Sequence, residues 1–226
     1  MIRVLRVARR SALTARVVAG EQLHSLVTSA PEEVRSPLRR LTTTRQLARA
    51  CAGLRPGALS DPSAATKHAL RTIARRWQQL QAEIDTLDTD LATLIGKVAP
   101  QLLTLPGVGV DTAGQLLVTA GDNPERLRSE AAFAHLCGVA PIPASSGRTD
   151  RHRLNRGGDR CANNALWRIA LVRMRCHEPT RVYVVRRIKQ GLSKRDILRC
   201  LKRYVAREVY KHLIPPAASA QPAGQK

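Results

Sequence analysis

The chain has 226 residues, with 38 Lys and Arg against 17 Asp and Glu, a net charge of +21 and only 3% aromatic residues. No apolar run approaches the ~20 residues of a membrane span, and with so few aromatic rings stacking is not expected to dominate nucleic-acid affinity. Five cysteines (Cys51, Cys137, Cys161, Cys176 and Cys200) stand singly, without a CxxC pair or a zinc-like His spacing. They read as buried apolar residues of a reducing compartment, which makes this a cytoplasmic protein with no metal site and no cofactor of its own.

The charge is unevenly placed. Residues 1–50 carry 10 basic and 3 acidic groups, residues 51–146 carry 8 and 9, and residues 147–211 carry 19 and 5. A surplus this dense in the last third is the footprint of a polyanion-binding surface, with affinity set by arginine–phosphate contacts and therefore steeply salt-dependent.

The expected fold is all-α, a long coiled-coil helix followed by a compact helical domain. Residues 1–62 form a helical N-terminal segment and linker, in which Leu13, Val17, Leu23, Leu26 and Val27 recur at helical spacing and Pro31 and Pro37 break the helix. The Pro- and Gly-rich stretch 53–62 leads into the next helix, capped by Ser60, Asp61 or Ser63. Over 63–100, Leu70, Ile73, Trp77, Leu80, Ile84, Leu87, Leu91, Leu94 and Val98 alternate steps of three and four. That is a heptad seam, and it predicts a homo-oligomer unless the helix folds back on a neighbour of its own chain, with Glu83, Asp88 and Asp90 as flanking surface charges.

Residues 101–213 make the compact domain, and 214–226 a disordered Ala/Pro/Gly tail. Its first motif, Leu105-Pro-Gly-Val-Gly109 ahead of an apolar helix, resembles a helix-hairpin-helix element. There Gly107 and Gly109 turn the backbone and can aim N–H groups at a DNA phosphate, and Asp111 or Thr112 caps the helix that follows. A tight turn without a ligand is the plainer alternative.

The stretch 144–160 joins two exposed hydroxyls, Ser145 and Ser146, to Arg148, Arg151, Arg153, Arg156 and Arg160. A turn placed by Pro141, Pro143 and Gly147 presents the serines, and Gly157 and Gly158 allow a close backbone approach. A hydroxyl beside guanidinium groups suits chemistry on, or binding to, a phosphodiester. A basic loop that only touches nucleic acid is the plain reading, and His152 is a candidate general base. Residues 162–174 then form a helix with Ala165, Leu166, Ile169 and Val172 inward, Arg168, Arg173 and Arg175 outward, and Pro179 at its end. In the last helix, Ser193 caps an apolar face of Ile197, Leu198, Leu201, Tyr204, Val205 and Val209. Lys194, Arg195, Arg199, Lys202, Arg203, Arg207 and Lys211 crowd its exposed side as phosphate contacts.

LPGVG, FAHLCGVAPIPASSG, RHRLNRGGDRCANNALWRIALVRM and RCLKRYVAREVY, in that order, resemble the C-terminal half of bacterial insertion-sequence transposases of the insertion-sequence-one-ten type. The resemblance covers roughly residues 65–213. It implies DNA transposition by a recombinase acting with a structured guide RNA, oligomer assembly through the paired helices, and a serine joined covalently to DNA. That serine maps best onto Ser146, with Ser145 second. The family's N-terminal RuvC-like nuclease domain carries the metal-binding acids, and nothing upstream of Glu21 is acidic. The chain is therefore expected to be a truncated copy, active only with that domain supplied or else a non-catalytic binder of DNA and RNA.

Overall fold

The long heptad helix is present as a single unbroken element in the computed structural model, which describes residues 1–58, 61–121, 127–145 and 152–213. Ten helices and one two-stranded hairpin lie among the described residues. They divide into an N-terminal body, residues 4–90, and a C-terminal body from Leu91 onward with residues 1–3. The division falls inside the long helix rather than at its ends. No described helix is long and apolar enough to cross a membrane.

The N-terminal body contains α1 (Ile2–Ser29), α2 (Glu32–Leu38), α3 (Thr44–Ala52) and the first part of α4 (Pro62–Val98). Asp61 is the cap of α4, its Oδ1 accepting from the Ala64 N–H at 2.8 Å. Leu70, Ala74 and Trp77 share one core with Ala19 and Leu23 of α1, Val34 and Leu38 of α2, and Leu47, Ala48 and Cys51 of α3. Here α4 is covered by α1 of its own chain, running antiparallel. Arg9 pairs with both oxygens of Asp88, Arg16 with Gln81, and the Arg16 guanidinium lies 5.7 Å from the Trp77 ring.

The partnership explains which heptad positions are buried. Leu70, Trp77 and Ile84, one full heptad apart, are buried, whereas Ile73, Leu80 and Leu87 are only half-buried. Two sequence expectations change. In α1 the inward residues are Ala12, Ala19 and Leu23, while Val17 is 50% exposed, because small side chains let the two helices approach closely. Pro37 does not break a helix. It sits in the last turn of α2, which starts directly after Pro31.

The C-terminal body contains α5 (Pro100–Thr104), α6 (Val110–Ala120), α7 (Glu130–Leu136), β1 (Ile142–Pro143), β2 (His152–Arg153), α8 (Arg160–Cys176), α9 (Glu178–Lys189) and α10 (Lys194–Leu213). Helix α8 is central and packs on α6, α9 and α10, and α10 also meets α5 and α7. Ala162, Ala165, Leu166, Ile169 and Ala170 form the inward stripe of α8. Arg173 continues that stripe and is buried, contrary to the expectation that it points outward. Its Nε donates to the Pro106 carbonyl at 2.7 Å, and its Nη1 pairs with Glu208 of α10. Val172 is instead 43% exposed.

Pro179 does not end α8. The helix stops at Cys176, and Pro179 lies in the first turn of α9, where its missing N–H leaves no bond unmade. Ser193 caps α10 as expected, its Oγ accepting from the Asp196 N–H at 3.2 Å and donating to Asp196 Oδ2 at 2.6 Å. Tyr204 lies outside the apolar face of α10 and stacks edge-on against Tyr183 of α9. Of the cysteines only Cys51 and Cys137 are buried; Cys161 and Cys176 are exposed. Burial pushes the Cys51 thiol up to about 11, and burial followed by the nearby Asp159 charge pushes Cys137 up to about 12. The expected tail, 214–226, and Ser60 lie outside the described residues.

Arg173 ties three elements at once, so its loss leaves the Pro106 carbonyl without a donor and Glu208 without its partner. Arg173→Leu should lower unfolding stability by about 1–3 kcal/mol, whereas Arg168→Leu, at an exposed pair with Asp111, should change it by less than about 1 kcal/mol. Chemical denaturation of the two variants measures the difference.

Candidate nucleic-acid interface

The serine–arginine stretch is the connection of the β-hairpin. Ile142 pairs with Arg153 and Pro143 with His152 in antiparallel register, so residues 144–151 form the loop between them. Ser145 is exposed at the start of that loop. Ser146, Arg148 and Arg151 lie outside the described residues. The hairpin is a local exception to the helical fold.

The backbone that follows β2 is fixed by a polar network in the Asn155–Asn163 segment. Asn155 Nδ2 donates to the His135 carbonyl at 3.0 Å, and its Oδ1 accepts from the Gly157 N–H at 3.0 Å. Asp159 caps α8, accepting from the Cys161 and Ala162 N–H groups at 2.7 and 3.2 Å, while its other oxygen accepts from Thr119 Oγ1 at 2.6 Å. Asn163 Nδ2 donates to the Cys137 and Gly138 carbonyls, each at 3.0 Å. Gly158 lies directly against Gly138: an added Cβ would collide with the Gly138 backbone and reach the Leu136 carbonyl at 2.9 Å. Gly158 thus serves a close approach of backbone to backbone, not of backbone to a ligand.

That network sets one wall of a cleft whose other wall is α10. The cleft has a volume of about 520 Å³ and is lined by Val139–Pro141, the segment 152–155, and Asp196, Arg199, Lys202, Arg203 and Arg207. The cations in it are not equally engaged. Arg203 and Arg207 both bind Glu130 at the start of α7. Burial alone would raise the Glu130 carboxyl, but the two guanidinium groups outweigh it and hold the acid below its usual range. Arg199 pairs with Asp196 at 2.7 Å.

Among the described residues Lys202 has no carboxylate partner. Its Nζ donates to the neutral Asn163 Oδ1 at 2.8 Å. Burial first, and the Arg199 charge second, depress its ammonium below the ordinary lysine value. Arg153 joins it on the β2 side. Among the described residues, five cations therefore share the cleft region with two carboxylates, Asp196 and Glu130. Lys194 and Arg195 add positive charge to the first turn of α10, where the helix dipole disfavours it. Each of these features is relieved by an anion.

The other expected contacts fall elsewhere. Arg156 and Arg160 are exposed on the approach to α8 and on its first turn. In the LPGVG turn, Gly107 has φ +75° and faces α8, where a Cβ would lie 3.1 Å from the Ile169 carbonyl. Gly109 is the cap residue of α6, and its N–H donates to Thr112 Oγ1 at 3.0 Å. Both glycines thus have intramolecular tasks, and Thr112, rather than Asp111, satisfies the cap. Among the described residues no three His, Cys, Asp or Glu side chains gather into a metal-binding group.

Residues 99–184, which hold the turn, the hairpin and α8, match the model of the Transposase IS116/IS110/IS902 family. Over those residues the chain is similar to that transposase family. It is 36% identical over 108 residues to the Insertion element IS110 uncharacterized 43.6 kDa protein of Streptomyces coelicolor. The matched part is 47% of this chain and 26% of that relative, so the chain spans about a quarter of the relative's length. The transposase match ends before α10, so the far wall of the cleft, although rich in cations, lies beyond the matched residues.

The Gly138–Gly158 contact generates a direct test. Gly158→Ala should destabilise the chain by about 1–3 kcal/mol or more through overpacking. Gly157→Ala, whose Cβ meets only Asn155 Oδ1 at 3.6 Å, should be within about 0.5 kcal/mol of the parent. Thermal melts of the two variants compare them.

Proposed function

We propose that this chain is the DNA-binding part of an insertion-sequence transposase, holding a phosphate backbone between the hairpin and α10. The observation that carries this reading is Lys202, a half-buried ammonium among arginines with only a neutral amide as partner. Leaving a cation so placed costs free energy that a bound phosphate offsets. Arg153 supplies a second contact from the opposite wall, and Arg199, Arg203, Lys194 and Arg195 extend the positive surface along α10. The LPGVG turn is a weaker candidate, because its glycines already pack and cap. Structured RNA is the second polyanion proposed for the surface, as a guide. Homo-oligomer assembly is proposed through the half-covered row Ile73, Leu80 and Leu87 of α4.

We assign the nucleophile to Ser146 or Ser145, in the stretch that precedes β2, whose residues line the cleft. The serine Oγ forms a bond to phosphorus as the bond to the leaving strand's oxygen breaks. The hydroxyl proton passes to a base, for which His152 is the candidate, and the leaving oxygen takes up a proton. Arginines beside the phosphate offset the charge that develops. The absence of an acidic ligand group among the described residues favours a second reading of the isolated chain, binding without chemistry, with a metal-binding domain needed for cleavage.

Binding is tested by salt titration with duplex DNA. The affinity of the unmodified chain should fall linearly on a log–log plot. The pair Arg153→Ala and Lys202→Ala, which spares the Glu130 clamp, should weaken binding across sequences and lower the slope by about one per lost phosphate contact. An unchanged slope would move the interface away from the cleft.

Chemistry is tested on a denaturing gel with labelled DNA and the family's nuclease domain added in trans. A covalent adduct should form and disappear with Ser146→Ala or with Ser145→Ala, and the chain alone should form none. An adduct surviving both substitutions would exclude the serine route.

A further inference from the structure

Helix α8 carries a second exposed surface that the cleft does not use. Arg160, Asn164 and Trp167 follow one another at steps of four and three, and with Asn163 they line a shallow groove of about 310 Å³. That volume is at the lower end of the range for small-ligand clefts, about 300–1,000 Å³. Trp167 is 39% exposed, while the other tryptophan, Trp77, is buried. The exposed part of the indole adds no packing to the fold and is available to a ligand.

The polar groups around the ring are also available. Among the described residues, the Arg160 and Asn164 side chains and the Trp167 indole N–H have no hydrogen-bond partner. Asn163 is different, since its amide is fully engaged by Cys137, Gly138 and Lys202, and it forms a fixed wall. Arg168, on the far side of Trp167, is held by Asp111. The groove therefore offers one flat ring, one free amide and one free guanidinium on a rigid helix.

These three groups match the three parts of a nucleotide. An aromatic face stacks on any base, a carboxamide pairs with a base edge, and a guanidinium grips a phosphate. We propose that the groove binds one unpaired base of a single-stranded nucleic acid, stacked on Trp167 with Asn164 on its edge and Arg160 on its phosphate. The surplus of cations over residues 147–211 makes an anionic strand the complementary occupant. The site extends the reading that the C-terminal body binds nucleic acid, but it takes a base where the cleft takes a backbone.

The full chain carrying Trp77→Phe leaves Trp167 as its only tryptophan. Titration with a short oligothymidylate should quench its fluorescence, and an abasic strand of equal length and charge should not. In the parent chain, Trp167→Ala should weaken oligothymidylate binding about five- to hundredfold, with duplex affinity and its salt slope unchanged, and Trp167→Phe should retain most of the affinity. Equal quenching by the abasic strand, or an unchanged affinity in Trp167→Ala, would overturn the proposal and leave the ring as a protein-contact residue. Base-dependent quenching without any duplex binding would support the groove while removing the cleft.

Discussion

Two glycines in contact, Gly138 and Gly158, set the path of the two loops that line one wall of the cleft. With no side chain at either position, the loop after α7 and the loop after β2 lie backbone against backbone. The side chains that hold them there are Asn155, Asp159 and Asn163, spaced four apart across the start of α8. Asp159 uses one oxygen for the helix cap and the other for Thr119, so the cap also fixes α6. Asn163 uses its amide nitrogen on the loop and its oxygen on Lys202. Backbone position and cleft charge are thereby coupled through a single residue.

The C-terminal body spends much of its charge on itself. Glu130 draws Arg203 and Arg207 together, Glu208 holds Arg173, and Asp111 holds Arg168. Basic residues that look interchangeable in the sequence thus divide into two groups. One fastens helices to each other, and the other, with Lys202 and Arg153 at its centre, faces the cleft without a carboxylate of its own among the described residues. Only the second group is free to meet a polyanion, and neutralising a member of the first disturbs folding as well as binding.

Much of this was legible in the sequence, and what was not has physical causes. The heptad run marks α4, and the Ser193–Asp196 pair marks the start of α10, because both signals are local. The partner of α4 was not legible, since a heptad seam is the same whether it meets another chain or α1. Arg173 falls at helical spacing from Leu166 and Ile169, so periodicity alone would place it inside. Its residue type argued the other way, and burial is permitted only because Pro106 and Glu208, distant in sequence, arrive at the same point. The short strands β1 and β2 carry no alternating pattern, as two residues cannot show one. The glycines of the Arg-rich stretch suggested a ligand, whereas their closest neighbour is another part of the chain.

The central claim is that Lys202 faces bound phosphate. Lysine acetylation followed by mass spectrometry, with and without duplex DNA at low salt, reads this at the residue itself. Free Lys202 should react readily, because its depressed ammonium exposes more neutral amine. Bound DNA should protect Lys202 strongly and leave Lys67 of the N-terminal body unchanged. Protection confined to Lys189 and Lys211, with Lys202 reacting as before, would contradict the account.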